Sequence, residues 1–324
     1  MVNEQGRWSK EKGEGGLENM STQSNLERVL KSGTFAVTSE CGPPRGADPE
    51  VVKKKGSYLL GYVDCVNVTD NQTSVVRMSS FSACLVLKGV GLDPIMQMVC
   101  RDRNRIAMQS DILGAAALGI NNLLCLSGDH QKFGDHPTAK NVFDIDSIQL
   151  IQTVKGMRDE GRFISGQEVK GKPNIFIGCV ENPFADPFEI RALRLAKKAA
   201  AGAQFVQTQC VFNVEKFEKW MEMVRDLGIH EKIHILAGIT PMKSIGMAQY
   251  MKNSVPGMDV PEEQIERLKG VPKEKVTEEG IKIAVETIER VRAIKGVAGV
   301  HIMAIEWEEK VQEIVKAAGL HPRP

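Results

Sequence analysis

The stretch "PIMQMVCRDRNRIAMQSDILGAAALGINNLLCLSGDH", residues 94–130, holds one complete unit of the chain's architecture. An apolar run of strand length (94–100) is followed by a helical pattern (104–119) and then by a second apolar run (122–128). Asn104 is placed to cap the helix, and Ile106, Leu113 and Ala117 fall on one stripe. Two strands separated by a helix of this length run parallel and are joined by a right-handed crossover. The second strand stops on Ser127, Gly128, Asp129 and His130, a small residue, a glycine, a carboxylate and an imidazole in a row.

The same rhythm extends in both directions. Apolar runs recur at "TFAVTSE" (34–40), "YVDCVNV" (62–68), "NIFIGCV" (174–180), "QFVQTQC" (204–210), "KIHILAG" (232–238) and "GVHIMAI" (299–305), which makes eight with the two already quoted. Helical patterns lie between them at 186–202, 213–228 and 276–294, the last with Thr277 as its expected cap, and a final helix covers 307–320. Eight strand–helix units ending in a helix predict an α/β fold, a single (β/α)8 TIM barrel. The alternative, a doubly wound open sheet, more often carries a glycine-rich turn after its first strand, and "SECGPPRG" (39–46) is not G-x-G-x-x-G. The barrel is expected over residues 25–324, with a proline-bounded insert at 255–275 between strands 7 and 8. Residues 1–24 are polar, lack the apolar core of a signal peptide and read as a flexible tail, in which Met20 competes with Met1 as the start.

Composition narrows the function. Lys plus Arg number 42 and Asp plus Glu 41, a formal charge of +1, which argues against a nucleic-acid footprint. No run of about 18 apolar residues is present, so no membrane span is expected. The seven cysteines stand singly, with no C-x-x-C and no zinc spacing, and read as reduced, mostly buried thiols of a cytoplasmic protein. No metal and no iron–sulfur cluster is expected on this chain.

In a barrel of this kind, chemistry sits at the C-terminal strand ends. Those strands and their ends offer Glu40; Asp64, Asn67, Thr69, Asp70 and Asn71; Gln97, within strand 3, and Arg101; Asp129; Glu181 and Asn182; Gln209; and Glu306. Each has an ordinary reading as a cap or an ion-pair partner, and Asp70 and Asn71 are expected to cap the helix after strand 2. Glu40 is harder to dismiss, because Cys-Gly-Pro-Pro-Arg follows it as a rigid exit, and Asp129 follows a glycine that lets backbone approach a ligand. Few cations stand at these ends. Backbone donors and one negative charge in "LSGD" (126–129) suit a flat heterocycle with amide-like edges, such as a pterin or an isoalloxazine.

With these residues in view, "SECGPPR" (39–45), "LSGDH" (126–130), "FVQTQCVFNVEKF" (205–217) and "LAGITPMKS" (236–244), in register at strand ends, resemble the 5,10-methylenetetrahydrofolate reductases over roughly residues 34–322. "VNVTDNQTSVVRMSS" (66–80) resembles the branch from anaerobes that use the Wood–Ljungdahl route. The resemblance implies a flavin-bearing barrel that passes hydride from flavin N5 to methylenetetrahydrofolate. It implies Glu40 as the acid that opens the folate's imidazolidine ring, Asp129 as the carboxylate that stabilises the iminium and modulates the flavin, and Gln209 as the amide that holds the pterin. Tyr250 and Met251 fall where the family's stacking aromatic stands. Flavin contacts are implied for Asn67, Thr69, Gln97, Leu126, Ser127, Gly128 and Asp129, with Arg194, Lys197 and Lys198 toward its phosphate end. FAD is the usual flavin and FMN the alternative. The electron donor is NAD(P)H or an iron–sulfur partner subunit, in an oligomer or hetero-complex. A non-catalytic folate- or flavin-binding scaffold and a folate methyltransferase-type barrel are the competing readings.

Overall fold

The structure, a computed structural model, describes residues 24–255 and 257–324. Eight parallel strands pair in chain order: β1 (Ala36–Cys41), β2 (Cys65–Val68), β3 (Pro94–Val99), β4 (Asn122–Leu126), β5 (Phe176–Glu181), β6 (Phe205–Cys210), β7 (His234–Ile239) and β8 (Val297–Ile302). β8 pairs back to β1, with Thr38 opposite His301, so the barrel is closed. The helices are α1 (Asn25–Lys31), α2 (Pro49–Leu59), α3 (Ser80–Val90), α4 (Arg105–Ala117), α5 (Ser147–Lys155), α6 (Arg191–Ala201), α7 (Val214–Asp226), α8 (Ile245–Ser254), α9 (Glu262–Lys269), α10 (Val276–Arg292) and α11 (Val311–Ala317). Each of the eight apolar runs overlaps one strand. No helix among the described residues is long and apolar enough to cross a membrane.

Side chains alternate along each strand. One set, with Val37, Val66, Met96 and Leu123, packs beneath the helices in the main core. The other points inward. Its lower layer, Ala36, Cys65, Ile95, Leu124, Phe176, Phe205 and Leu236, fills the N-terminal half of the barrel. Gly178 makes room there: a Cβ on it would lie 2.2 Å from the Phe205 ring. α1 closes this end by inserting Leu26, Val29 and Leu30 into the same layer. A third cluster, under α8, α9 and α10, joins Met251, Ile265, Leu268 and Ile283 to the mouth side of the barrel through Cys210 and Met303. All seven cysteines are buried free thiols.

Several local expectations are corrected. In α4 the buried stripe is Met108, Ile112 and Ala115, while Ile106 is exposed. Both stripes have helical spacing, and only the direction in which the helix meets the sheet chooses between them. Thr277 does not cap α10, because a 3-10 turn, Lys273–Lys275, runs straight into the helix. Residues 186–190 precede α6 as a turn and a short 3-10 segment. Asp70 does not cap α3; Ser79 does. The Asp70 carboxylate instead accepts from Val99 N at 3.0 Å and from Arg103 at 2.7 Å, tying β2 to β3. Asp64 lies at the opposite end of the barrel, where it accepts from Val37 N at 2.7 Å. The tail read over 1–24 lies outside the described residues except for Ser24, which caps α1. The insert read over 255–275 contains α9.

Candidate active site

Above the apolar layer the inward side chains become polar. Thr38, Asn67, Gln207 and His301 come from β1, β2, β6 and β8 and form one buried network. Asn67 Nδ2 donates to Gln207 Oε1 at 2.5 Å, and Gln207 Nε2 donates back to Asn67 Oδ1 at 3.1 Å. Gln207 Nε2 also reaches Thr38 Oγ1 at 3.2 Å, and Thr38 Oγ1 lies 3.0 Å from His301 Nδ1. Burial pushes the His301 imidazole down to about 3, so it is neutral at working pH. Three of its members, Asn67, Gln207 and His301, line the floor of a cavity of about 270 Å3 at the C-terminal mouth.

Glu40, in register with Asn67, lines the same cavity. Burial pushes its carboxyl up to about 7. The negative charge of Glu308 acts in the same direction, and Lys55 and Arg77 act against it. Gln97, Leu126, Glu181 and Gln209 complete the walls. The cavity is not the largest concavity of the molecule. Clefts of about 400 and 520 Å3 follow α4 and the turn around Phe163, but they lie outside the barrel, away from the strand ends.

The structure thus brings Glu40, Asn67, Gln97, Leu126 and Gln209 around one cavity. Asp129 and Ser127 stand on the exposed rim beyond β4. The backbone there is held firmly, with the Asp129 carbonyl accepting from Arg101 Nη1 and from Ser74 Oγ, each at 3.0 Å. Gly128 has φ +90°, and a Cβ on it would meet Val99 at 3.0 Å, so its backbone freedom serves the packing of β4 against β3. Thr69 is buried just past β2, and among the described residues its hydroxyl has no hydrogen-bond partner. Lys198 is buried and paired with Glu181 at 2.8 Å, whereas Arg194 and Lys197 are exposed on α6. Tyr250 is exposed on α8, and Met251 packs into the cluster beneath it.

Thr38, Gln207, His301 and Glu308 escaped the sequence reading. The first two lie two residues before Glu40 and Gln209, so strand alternation alone could have put them on the same inner face. For strand 8 the reading named Glu306, which is exposed. The buried carboxylate is Glu308, two residues later.

The family profile described as methylenetetrahydrofolate reductase matches residues 25–319. A Caenorhabditis elegans protein named "Probable methylenetetrahydrofolate reductase (NADPH)" is 25% identical over 91% of this chain and 44% of its own length. "Methylenetetrahydrofolate reductase 1" of Schizosaccharomyces pombe is 28% identical over 71% of this chain and 36% of its own. The chain therefore spans less than half the length of these curated relatives. Among solved structures, a Clostridium thermocellum protein described as binding two copies of 5-methyl-5,6,7,8-tetrahydrofolic acid superposes with a TM-score of 0.63 at 13% identity, covering 91% of this chain and 98% of that one. At that identity the likeness speaks for the fold.

Proposed function

The chain belongs to the methylenetetrahydrofolate reductase family, and from that premise we propose that it reduces 5,10-methylenetetrahydrofolate to 5-methyltetrahydrofolate. A flavin, when bound, would supply the hydride that the one-carbon unit accepts. The observation that carries the reading is Glu40: a carboxyl at the barrel mouth, held by burial near pH 7, over an amide-lined floor. A group with that proton affinity is protonated often enough at neutral pH to act as an acid, and it is acidic enough to give the proton up. In this reading Glu40 delivers its proton to folate N10, which opens the five-membered ring and leaves an iminium at the N5 side.

Gln209 holds the pterin edge, since an amide donates and accepts at once. Asp129, on the rim, supplies a fixed negative charge that favours the iminium. Tyr250, exposed on α8, is the available stacking ring, and Met251 packs into the cluster beneath it. The residues present fit a flavin. The Thr69 hydroxyl, two residues after Asn67, is a buried group with no partner among the described residues and could take one from a ligand. Leu126, Ser127 and Gly128 supply an edge, and Arg194 and Lys197 supply exposed cations for a phosphate end. Lys198 acts through Glu181, with which it is already paired. FAD is the reading and FMN its alternative. The electron donor is NAD(P)H or an iron–sulfur partner subunit, the latter in keeping with a Wood–Ljungdahl setting in the cytoplasm. Anaerobic titration of the flavin band with each donor separates the two.

The test is Glu40→Gln. It should lower folate reduction by about 10²- to 10⁴-fold, the range of a lost general acid, while flavin stays bound and reducible by an artificial donor. Wild-type folate reduction should fall as pH rises through about 7, where Glu40 loses its proton. Undiminished turnover in the variant would remove Glu40 from this role. Protein that takes up no flavin would favour a folate-binding barrel without redox chemistry.

A further inference from the structure

The exit of β1 is enclosed by charged groups from three separate elements. Lys55, on α2, places its Nζ 2.7 Å from Glu308 Oε1 and donates to the Gly42 carbonyl at 3.2 Å. Arg77, just before α3, donates to the Pro43 carbonyl at 3.1 Å. Met78 N donates to the Pro44 carbonyl at 2.9 Å. Three successive carbonyls after Glu40 and Cys41 are therefore tied down. Glu308 comes from the turn between β8 and α11, and its side chain is only 5% exposed. A buried carboxylate is costly to keep, and the Lys55 pair offsets that cost. Its charge nevertheless reaches past Lys55: Glu308 raises the proton affinity of both Glu40 and Cys41, in each case second only to burial.

We propose that Glu308, paired with Lys55, is a positioning residue for Glu40: through Lys55 it holds the β1 exit in place, and it sets a buried negative charge there. The proposal rests on the reading of Glu40 as the acid, but its electrostatic part does not need turnover to be tested. Groups that face Glu40 are Glu308, Lys55 on α2 and Arg77 before α3, with the Cys210 thiol across from it on β6. His301 on β8 is neutral and adds no charge. Glu308 is the carboxylate among these; Glu181, on the wall of the same cavity, is paired with Lys198 at 2.8 Å.

The experiment is a pH titration of the Glu40 side chain in the full chain by carbon-13 NMR of labelled glutamate, with the signal assigned by its loss in Glu40→Gln. In Glu308→Gln the negative charge is gone while Lys55 and Arg77 stay, so the Glu40 midpoint should fall by about one pH unit, a roughly tenfold loss of proton affinity. Glu308→Asp keeps the charge and should keep the midpoint, which distinguishes charge from shape. If Glu308→Gln fails to fold, the double variant Glu308→Gln/Lys55→Met is compared with Lys55→Met, and the midpoint should again be lower without the Glu308 charge. A midpoint unmoved in whichever of the two folds overturns the proposal. Normal folate turnover in Glu40→Gln would overturn the acid assignment instead, and would leave the NMR result standing.

Discussion

Two titratable groups in one cavity are pushed in opposite senses by the same cause. Burial disfavours charge, so it raises Glu40 to about 7 and lowers His301 to about 3. For His301 this has a consequence for stability. Folded His301 stays neutral down to about pH 3, whereas a histidine in the unfolded chain takes up a proton near pH 6.5. Between those values the unfolded state binds more protons, so the His301 contribution is intact above about pH 6.5 and is lost as pH falls toward 3. His301→Gln keeps an amide in the network and removes that linkage. On going from pH 7 to pH 5, wild type should lose about 2 kcal/mol more than the variant in urea unfolding. Equal losses would mean that His301 is not the group responsible. Glu40 and Gln209 were legible in the sequence because each stands at the end of a strand-length apolar run, and Gln97 because it is a lone polar residue inside one. Glu308 was not, since it follows a turn whose path depends on the neighbouring helix.

At the scale of the element, the least visible part of the sequence closes the barrel. α1 has seven residues, too few to hold together in water without packing. Its stability comes from Leu26, Val29 and Leu30, which sit at i, i+3 and i+4 and enter the lower barrel layer. Polar contacts fix its entry angle: Asn25 N donates to Asp93 at 2.8 Å, and Asn122 Nδ2 donates to the same carboxylate at 3.1 Å. Leu26 is fully buried, so Leu26→Ala should cost about 2–5 kcal/mol, read as a lower urea midpoint with an unchanged slope. A cost under 0.5 kcal/mol would mean that α1 is dispensable to the barrel. α4 teaches the converse. Its cap at Asn104 and its helicity were plain from local signals, whereas its buried face was not, because two apolar stripes competed.

At the scale of the whole molecule, closure joins residues far apart in the chain. Arg323 donates to Asp64 at 2.6 Å and to the Phe35 carbonyl at 2.9 Å, linking the last residues to the start of β1 and β2. Both side chains are nearly buried, at 9% and 1% exposure. Arg323→Ala strands the Asp64 charge and should destabilise the fold by about 3 kcal/mol in chemical denaturation. Asp64→Asn in the same background should recover part of that loss, and failure to do so would point away from the stranded charge. The sequence by itself determined the strand–helix alternation, the count of eight and thus the barrel, and also which strand tips carry carboxylates and amides. These follow from periodicity and turn chemistry, which act over a few residues. Only the tertiary structure decided which tips share a cavity, which residues form its floor, and which buried charges set the proton affinity of Glu40. Those depend on register, closure and burial, and a carboxylate's neighbours across a closed barrel can be more than 200 residues away in the chain, as Glu308 is from Glu40.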